Sequence, residues 1–138
     1  MAANTSPIFG ANAKTQGTQF ANADGTTAKT IYTAGANGSR ILSVNAVTTD
    51  TAVNDVALSV QVGGSGTSYP IGAVAVAAGS GNNANPPTAS VELLGTQIAG
   101  LLADGSLQLG AGDTLQAAVL AAVTTATTLT LFVQASDF

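Results

Sequence analysis

The sequence predicts an all-β protein: an antiparallel β-sandwich, jelly-roll or immunoglobulin-like, with an extended N-terminal arm. Apolar and polar residues alternate through most of the chain after residue 25, which is the period of a half-buried strand. Turn signals containing Gly, Asn or Asp recur about every 8–12 residues, a spacing typical of sandwiches. The 19 threonines and 16 glycines among 138 residues also favour strands and turns. We therefore place an arm in residues 1–25 and the sandwich in residues 26–138.

Residues 1–25 show no sustained period and are rich in Asn, Gly, Thr and Gln. Their composition is compatible with a disordered leader. Alternatively, the segment is a docked strap, because Ile8, Phe9 and Phe20 are bulky enough to anchor it on a partner surface. In the second interpretation, part of the arm runs extended along a sheet edge, where main-chain hydrogen bonds add to the anchors.

The first two strands of the sandwich are predicted in "TTAKTIYT" and "RILSVNAVTT". An Asn37-Gly38 turn separates them, and such turns favour a β-hairpin because Asn and Gly tolerate positive φ. In the second strand the alternation places Leu42, Val44 and Ala46 on one face.

The next strands are predicted in "DVALSVQV" and "YPIGAVAVAAG", with Pro70 indicating an edge strand or a strand start. The segment "VELLGTQIAGLL" fits either a short helix or an extended crossover, because Leu94, Ile98 and Leu101 have helical spacing while Gly95 and Gly100 oppose a helix. Two further strands follow in "GSLQLGAGDTLQAAVLAAVT", and "TTLTLFVQASDF" forms the last one. The predicted core comprises Leu42, Val44, Val56, Leu58, Val60, Leu115, Val119, Leu129, Leu131 and Val133.

The composition excludes most enzymatic chemistry. Without cysteine or histidine the chain lacks disulfides, thiolate nucleophiles, the usual zinc sites and histidine bases. Asp50 and Asp55 share one loop and could in principle help to hold Ca²⁺, but turn aspartates more often bond to their own backbone. We predict no catalytic residue, no metal and no cofactor. The same turn role is expected of Asp104 and Asp113.

Nucleic acid and membrane are not expected partners. The net charge is −4, with three cationic residues in all, whereas a duplex-binding protein neutralises roughly 6–10 phosphates. No run approaches the ~18 apolar residues that span a bilayer. Charged residues make up only 7% of the chain, which protects weakly against self-association and suits a protein packed against neighbours.

Arg40 is the chain's single arginine and lies beside the predicted Asn37-Gly38 turn. One interpretation is a bidentate contact with a carboxylate of a neighbouring subunit, which the planar guanidinium makes well. The other is a local pair with an aspartate, or a solvated strand-start residue, and this one is favoured because surface pairs usually contribute only ~0–1 kcal/mol.

Residues 26–138 resemble a group of small tailed-bacteriophage virion proteins. The resemblance is carried by a "tAGanGsrI" corner, a "TDTaxxDVxLxV" segment, a "YPxGxVxVxAGsG" strand, a late "aGDTL" turn and a terminal "DF". Residues 33–51 and 69–81 are its most specific parts. These motifs are structural and contain no catalytic residues.

The resemblance implies a capsid decoration, or cement, protein. Such a protein is a β-sandwich, often a homotrimer, that binds the major capsid protein on the outer surface of the head after synthesis in the host cytoplasm. The alternative is a head-fibre, tail or receptor-recognition module that binds a host glycan. That function needs exposed aromatic side chains, and Tyr32 and Tyr69 both lie in predicted strands.

Overall fold

The computed structural model describes residues 12–82 and 88–138, and these residues form nine strands and two short 3-10 turns. The strands are β1 Asn12–Ala21, β2 Lys29–Thr33, β3 Ser39–Thr48, β4 Asn54–Gln61, β5 Ser68–Val76, β6 Val91–Glu92, β7 Leu107–Leu109, β8 Thr114–Val119 and β9 Thr128–Asp137. The 3-10 turns are Asn22–Asp24 and Val62–Gly64.

Two antiparallel sheets pack face to face, which confirms the predicted sandwich. Sheet A has the order β1-β9-β3-β6, and β7 pairs with the same side of β3 as β6 does, but nearer the start of β3. Sheet B has the order β2-β8-β4-β5. The last strand, β9, lies between β1 and β3, so the chain's end holds sheet A together.

The core lies between the sheets and is built from the inward residues of every long strand. Eight of the ten predicted core residues are buried, and Val60 is partly buried against the same cluster. The largest fully buried side chains are Phe20, Ile31, Ile41, Leu58, Leu93, Leu109, Leu115, Leu129 and Leu131, with Val44, Val56 and Val76.

The prediction for Leu42 is wrong, because its side chain is 54% exposed. A β-bulge interrupts the pairing of β3 with β9: Ile41 lies opposite Ala135 and Ser43 opposite Gln134, so Leu42 has no partner. The extra residue reverses the alternation. Ile41 and Val44, three positions apart, therefore both face the core and are fully buried.

The predicted hairpin between the first two sandwich strands is also wrong. β2 pairs with β8 in sheet B, whereas β3 pairs with β9 in sheet A. The connecting residues 34–38 do form a turn, with the Gly38 N–H donating to the Gly35 carbonyl at 3.0 Å. Five residues are long enough to cross the ~10 Å between packed sheets, so the turn links the two layers.

Part of the predicted arm, residues 12–21, belongs to sheet A. All ten residues of β1 are in register with β9, from Asn12 opposite Asp137 to Ala21 opposite Thr128. Ten of the residues assigned to the arm thus form an edge strand of sheet A. Residues 1–11, with Ile8 and Phe9, lie outside the described residues.

The remaining predictions concern the far edge of sheet B. β5 is an edge strand, as Pro70 indicated. The segment after β6 is neither helical nor extended: it is a run of bends and turns, in which the Ile98 N–H donates to the Gly95 carbonyl at 2.9 Å. It buries Leu93, Leu94 and Ile98, and the Ala99 N–H donates to the Ile71 carbonyl at 2.7 Å.

The bulge generates a prediction for adjacent residues. We expect Ile41→Ala to lower the free energy of unfolding by about 2–5 kcal/mol, because it empties a core position. Leu42→Ala, the matched control, should change it by no more than about 0.5 kcal/mol, since this side chain is mostly in water. Urea unfolding followed by circular dichroism measures both. Similar losses for the two variants would contradict the assigned bulge.

Candidate functional site

Phe20, predicted as a docking anchor, belongs to the protein's own core. It faces inward from β1 opposite Leu129 and is fully buried. The Lys29 ammonium lies 5.1 Å from the centre of its ring, a cation–π contact that closes this corner of the sandwich. Phe20 is therefore unavailable to a partner unless the sandwich opens.

Arg40 is paired within its own chain. Its guanidinium forms an ion pair with Asp104, and its Nε donates to the Ser106 Oγ at 2.8 Å. Asp104 in turn accepts from the Ser106 N–H at 3.1 Å and from its hydroxyl at 2.7 Å, as expected of a turn aspartate. The local interpretation thus describes the observed contacts. The pair is half-exposed, so its net contribution is small.

Asp50 is a buried acceptor for two separate loops and is 1% exposed. Its Oδ1 accepts from the Ala52 N–H at 3.0 Å. Its Oδ2 accepts from the Asn54 amide at 3.0 Å and from the Thr124 N–H at 2.9 Å. Thr48, through its hydroxyl, joins the same cluster by donating to the Asn54 Oδ1 at 3.1 Å.

These hydrogen bonds decide the ionisation of Asp50. Burial by itself would raise its pKa, but donors on Asn54, Thr124 and Ala52 outweigh burial and hold the pKa far below the ordinary value of 3.8. The carboxylate is therefore charged and fully engaged with N–H donors. Asp55 lies exposed on β4, and the described residues contain no cluster of three or more acidic residues that could hold a metal ion.

Asp137, near the end of the chain, forms a second, part-buried cluster that the sequence pattern did not reveal. Its Oδ1 accepts from the Tyr32 hydroxyl at 2.6 Å and from the Ser39 hydroxyl. The Lys14 ammonium lies 3.9 Å from its Oδ2. A Cβ on Gly35 would lie 3.0 Å from the carboxylate, so the corner after β2 closes tightly over it.

The Asp137 cluster shifts two pKa values in opposite directions. Hydrogen bonds from Ser39 and Tyr32 lower the pKa of Asp137 against the effect of burial. Burial, together with the hydrogen bond to Asp137, raises the pKa of Tyr32. Both groups keep their ordinary charge at neutral pH, so the cluster is a structural contact between a charged acceptor and neutral donors.

Six of the seven carboxylates accept hydrogen bonds from the described residues; the exception is Asp55. Asp113 illustrates the pattern predicted for turn aspartates, accepting from the Gly63 and Gly110 N–H groups at 2.9 Å each. Glu92 accepts from the Val44 and Leu94 N–H groups at 2.9 and 3.0 Å. These acids hold loops in place by hydrogen bonds. The described residues enclose no pocket.

The outer side of sheet A is the most distinctive surface. β9 presents Thr130, Phe132 and Gln134 there, because the residues between them are buried. The paired residues on the two neighbouring strands complete a three-by-three block without a charged side chain. We call this block the neutral face: Thr15, Gly17, Gln19, Ser43, Asn45, Val47, Thr130, Phe132 and Gln134.

Phe132 occupies the centre of the neutral face and is 45% exposed. Its ring lies against Gly17, the residue directly opposite on β1, since a Cβ there would be 3.8 Å from two ring carbons. The alternation of apolar and polar residues along β9 accounts for the outward position of Phe132, between the buried Leu131 and Val133. It did not predict the neutral face, because this requires the strand order of sheet A.

No protein-family model, curated protein or solved structure matches this chain. In the described part of the chain the helical turns have three residues each, far too few to cross a bilayer.

The Asp50 cluster predicts how stability depends on pH. Because the pKa of Asp50 is lower in the folded protein than in the unfolded chain, the unfolded chain binds more protons in acid. The stabilisation is complete above about pH 4 and is lost as the pH falls further. Asp50→Asn should lower the free energy of unfolding by about 1–3 kcal/mol at pH 7, because the NH₂ group of the new asparagine faces a buried N–H donor. The variant should also lose less stability than the original protein as the pH falls.

Asp55→Asn is the matched control, since it removes the same charge from an exposed carboxylate on the adjacent strand. It should leave both the stability at pH 7 and the acid dependence close to those of the original protein. Urea unfolding between pH 7 and pH 2 measures all three proteins. Equal behaviour of the two variants would show that Asp50 is not the acceptor described.

Proposed function

We propose that this chain is a structural virion protein of a tailed bacteriophage that binds the outer face of the capsid and stabilises the head. The neutral face is the observation that carries the proposal. An uncharged block with an exposed aromatic centre costs less free energy to desolvate than a charged one and suits contact with another protein. The sequence resemblance supplies the class of partner, the major capsid protein.

The positions of the resembling motifs support the same proposal. The corner between β2 and β3 and the terminal "DF" meet at Asp137, while the "aGDTL" turn lies beside them through the Ala34 N–H, which donates to the Asp113 carbonyl at 2.9 Å. The motifs therefore specify how a sandwich is closed. Because the residues of these motifs hold the sandwich together, we propose that the protein acts by binding through its surface. We assign it no enzymatic activity.

Stabilisation by such a protein works through mass action. A protein that binds the assembled shell and not its free subunits shifts the equilibrium toward the shell. Because many copies bind each head, their binding free energies sum, and each individual contact can be weak. Ile8 and Phe9 lie outside the described residues and are proposed as additional contacts to the capsid or to a neighbouring subunit.

The proposal includes a homotrimer. Only 7% of the residues are charged, and seven large apolar side chains are exposed among the described residues, including Leu42 and Phe132, so the surface favours association with other copies of the chain. Sedimentation should show a species of three times the 13.3 kDa chain mass. A monomer both in micromolar solution and on heads would contradict this part of the proposal.

The alternative is a receptor-recognition module that binds a host glycan. Tyr69 favours it, because its ring lies on β5 but is 56% exposed, as an aromatic platform for a sugar needs to be. Binding to a glycan array that Tyr69→Ala abolishes, together with only a few copies per virion, would support this alternative over decoration.

Head binding tests the main proposal through one variant. Phe132→Asp places a charge at the centre of the neutral face, and desolvating it in a contact is costly. We expect its occupancy on undecorated heads of the phage that encodes the chain to fall at least tenfold at matched concentration. Leu120→Asp introduces the same charge at an exposed residue after β8 and should bind normally. Equal occupancy of the two variants would exclude the neutral face as the contact.

A further inference from the structure

The outer edge of β1 is only partly capped. The Gln19 carbonyl accepts from the Lys29 ammonium at 2.8 Å, and the Ala21 N–H donates to the Asp24 Oδ2 at 2.8 Å. In an antiparallel pair, alternate residues direct both main-chain groups to the same side. Gln19 and Ala21 therefore face away from β9, and so do Thr15 and Gly17. At residues 13–17 the described part of the chain supplies no strand to these groups.

The other edges of the two sheets are short or covered. β6 and β7 have two and three residues, and β2 has five with an irregularity in its pairing. β5 contains Pro70, and the segment after β6 packs against it. The Gln97 carbonyl oxygen lies so close to Gly72 that a Cβ added to this glycine would be 2.3 Å from it. Among the described strands, β1 is the edge that can accept another strand.

Gly17 defines what an added strand would contact on the outer side of the sheet. The residue opposite Gly17 on the new strand would point to the same side as Phe132. Since Gly17 has no side chain, nothing separates that residue from the Phe132 ring, which leans over the glycine. An apolar or aromatic side chain fits this position.

Lys14 defines the opposite side of the same edge. Its side chain is 52% exposed, and its ammonium lies 3.9 Å from the Asp137 Oδ2. The Asp137 carboxylate already accepts hydrogen bonds from two hydroxyl groups. β1 contains no carboxylate, so two β1 strands paired with each other would bring lysines together without acids. A lysine on an edge strand disfavours self-pairing in this way. A carboxylate on a different strand would complement Lys14.

We propose that the edge of β1 at residues 13–17 binds an extended, antiparallel segment of a different protein. That segment carries an apolar residue opposite Gly17 and, three positions later, an acidic residue opposite Lys14. Main-chain hydrogen bonds supply affinity and the two side chains supply specificity. If the proposed function holds, the segment belongs to the capsid subunit, and the inference rests on that function only for this assignment.

A peptide tests the edge without a capsid. The probe is an eight-residue threonine peptide, blocked at both ends, with one phenylalanine and an aspartate three positions later. At millimolar concentration it should slow hydrogen exchange of the Thr15 and Gly17 amides at least tenfold, measured by NMR on the full chain. The Gln16 and Thr18 amides face β9 and should not change. A peptide with lysine in place of aspartate should bind at least tenfold more weakly.

Gly17→Val separates stability from binding. The new side chain meets only ordinary contacts at 3.8 Å from the Phe132 ring, so the variant should unfold at a higher urea concentration. It should also bind the peptide at least tenfold more weakly, because it covers the ring. Gln16→Val makes a comparable change on the other side of β1 and should retain binding.

Four outcomes would overturn the proposal. They are protection of the Thr15 and Gly17 amides in the free protein, protection that grows with protein concentration alone, equal binding of the two peptides, and unchanged binding by Gly17→Val. Head binding is measured separately. Heads bound normally without peptide binding would overturn the edge inference alone, whereas peptide binding without head binding would overturn the capsid assignment.

Discussion

Carboxylates that accept main-chain N–H groups hold the loops of this sandwich in place. The chain has no cysteine, and five of its seven acids are used in this way: Asp24, Asp50, Glu92, Asp104 and Asp113. Asp50 joins the loop after β3 to the loop before β9, and Asp113 joins the turn before β8 to the turn after β4. A buried amide without an acceptor costs about 1–3 kcal/mol, so each such acid secures several residues that no strand can pair.

This use of the acids determines what the surface can do. Because the carboxylates point into loops and ends, the outer side of sheet A retains a block of neutral side chains around Phe132. Two of the three cations also serve the scaffold: Lys29 caps Gln19 and Asp24, and Arg40 pairs with Asp104. Within the described residues, the neutral face and the half of the β1 edge bordered by Lys14 are left to a partner. Both features suit association with proteins.

The sequence predicted the fold class and most of the core because alternation is a local signal. Val44 and Leu129 could be assigned to the interior from their neighbours alone. Leu42 could not, since a bulge is defined by the partner strand. Likewise, the Asn37-Gly38 turn identified a corner, but only the distant strand β8 decides that β2 leaves the sheet of β3. The Asp137 cluster joins residues about a hundred positions apart, and no local pattern marks it.

Hydrogen exchange of one pair of adjacent amides tests most directly whether carboxylates hold the loops. The Thr124 N–H donates to Asp50, whereas the described residues supply no acceptor to the N–H of Thr125, the next residue. Both lie in the same loop between β8 and β9. At neutral pH we expect the Thr124 amide to exchange nearly as slowly as the amides of β9, and the Thr125 amide to exchange nearly as fast as in an unfolded chain. Equally fast exchange of both amides would contradict the account.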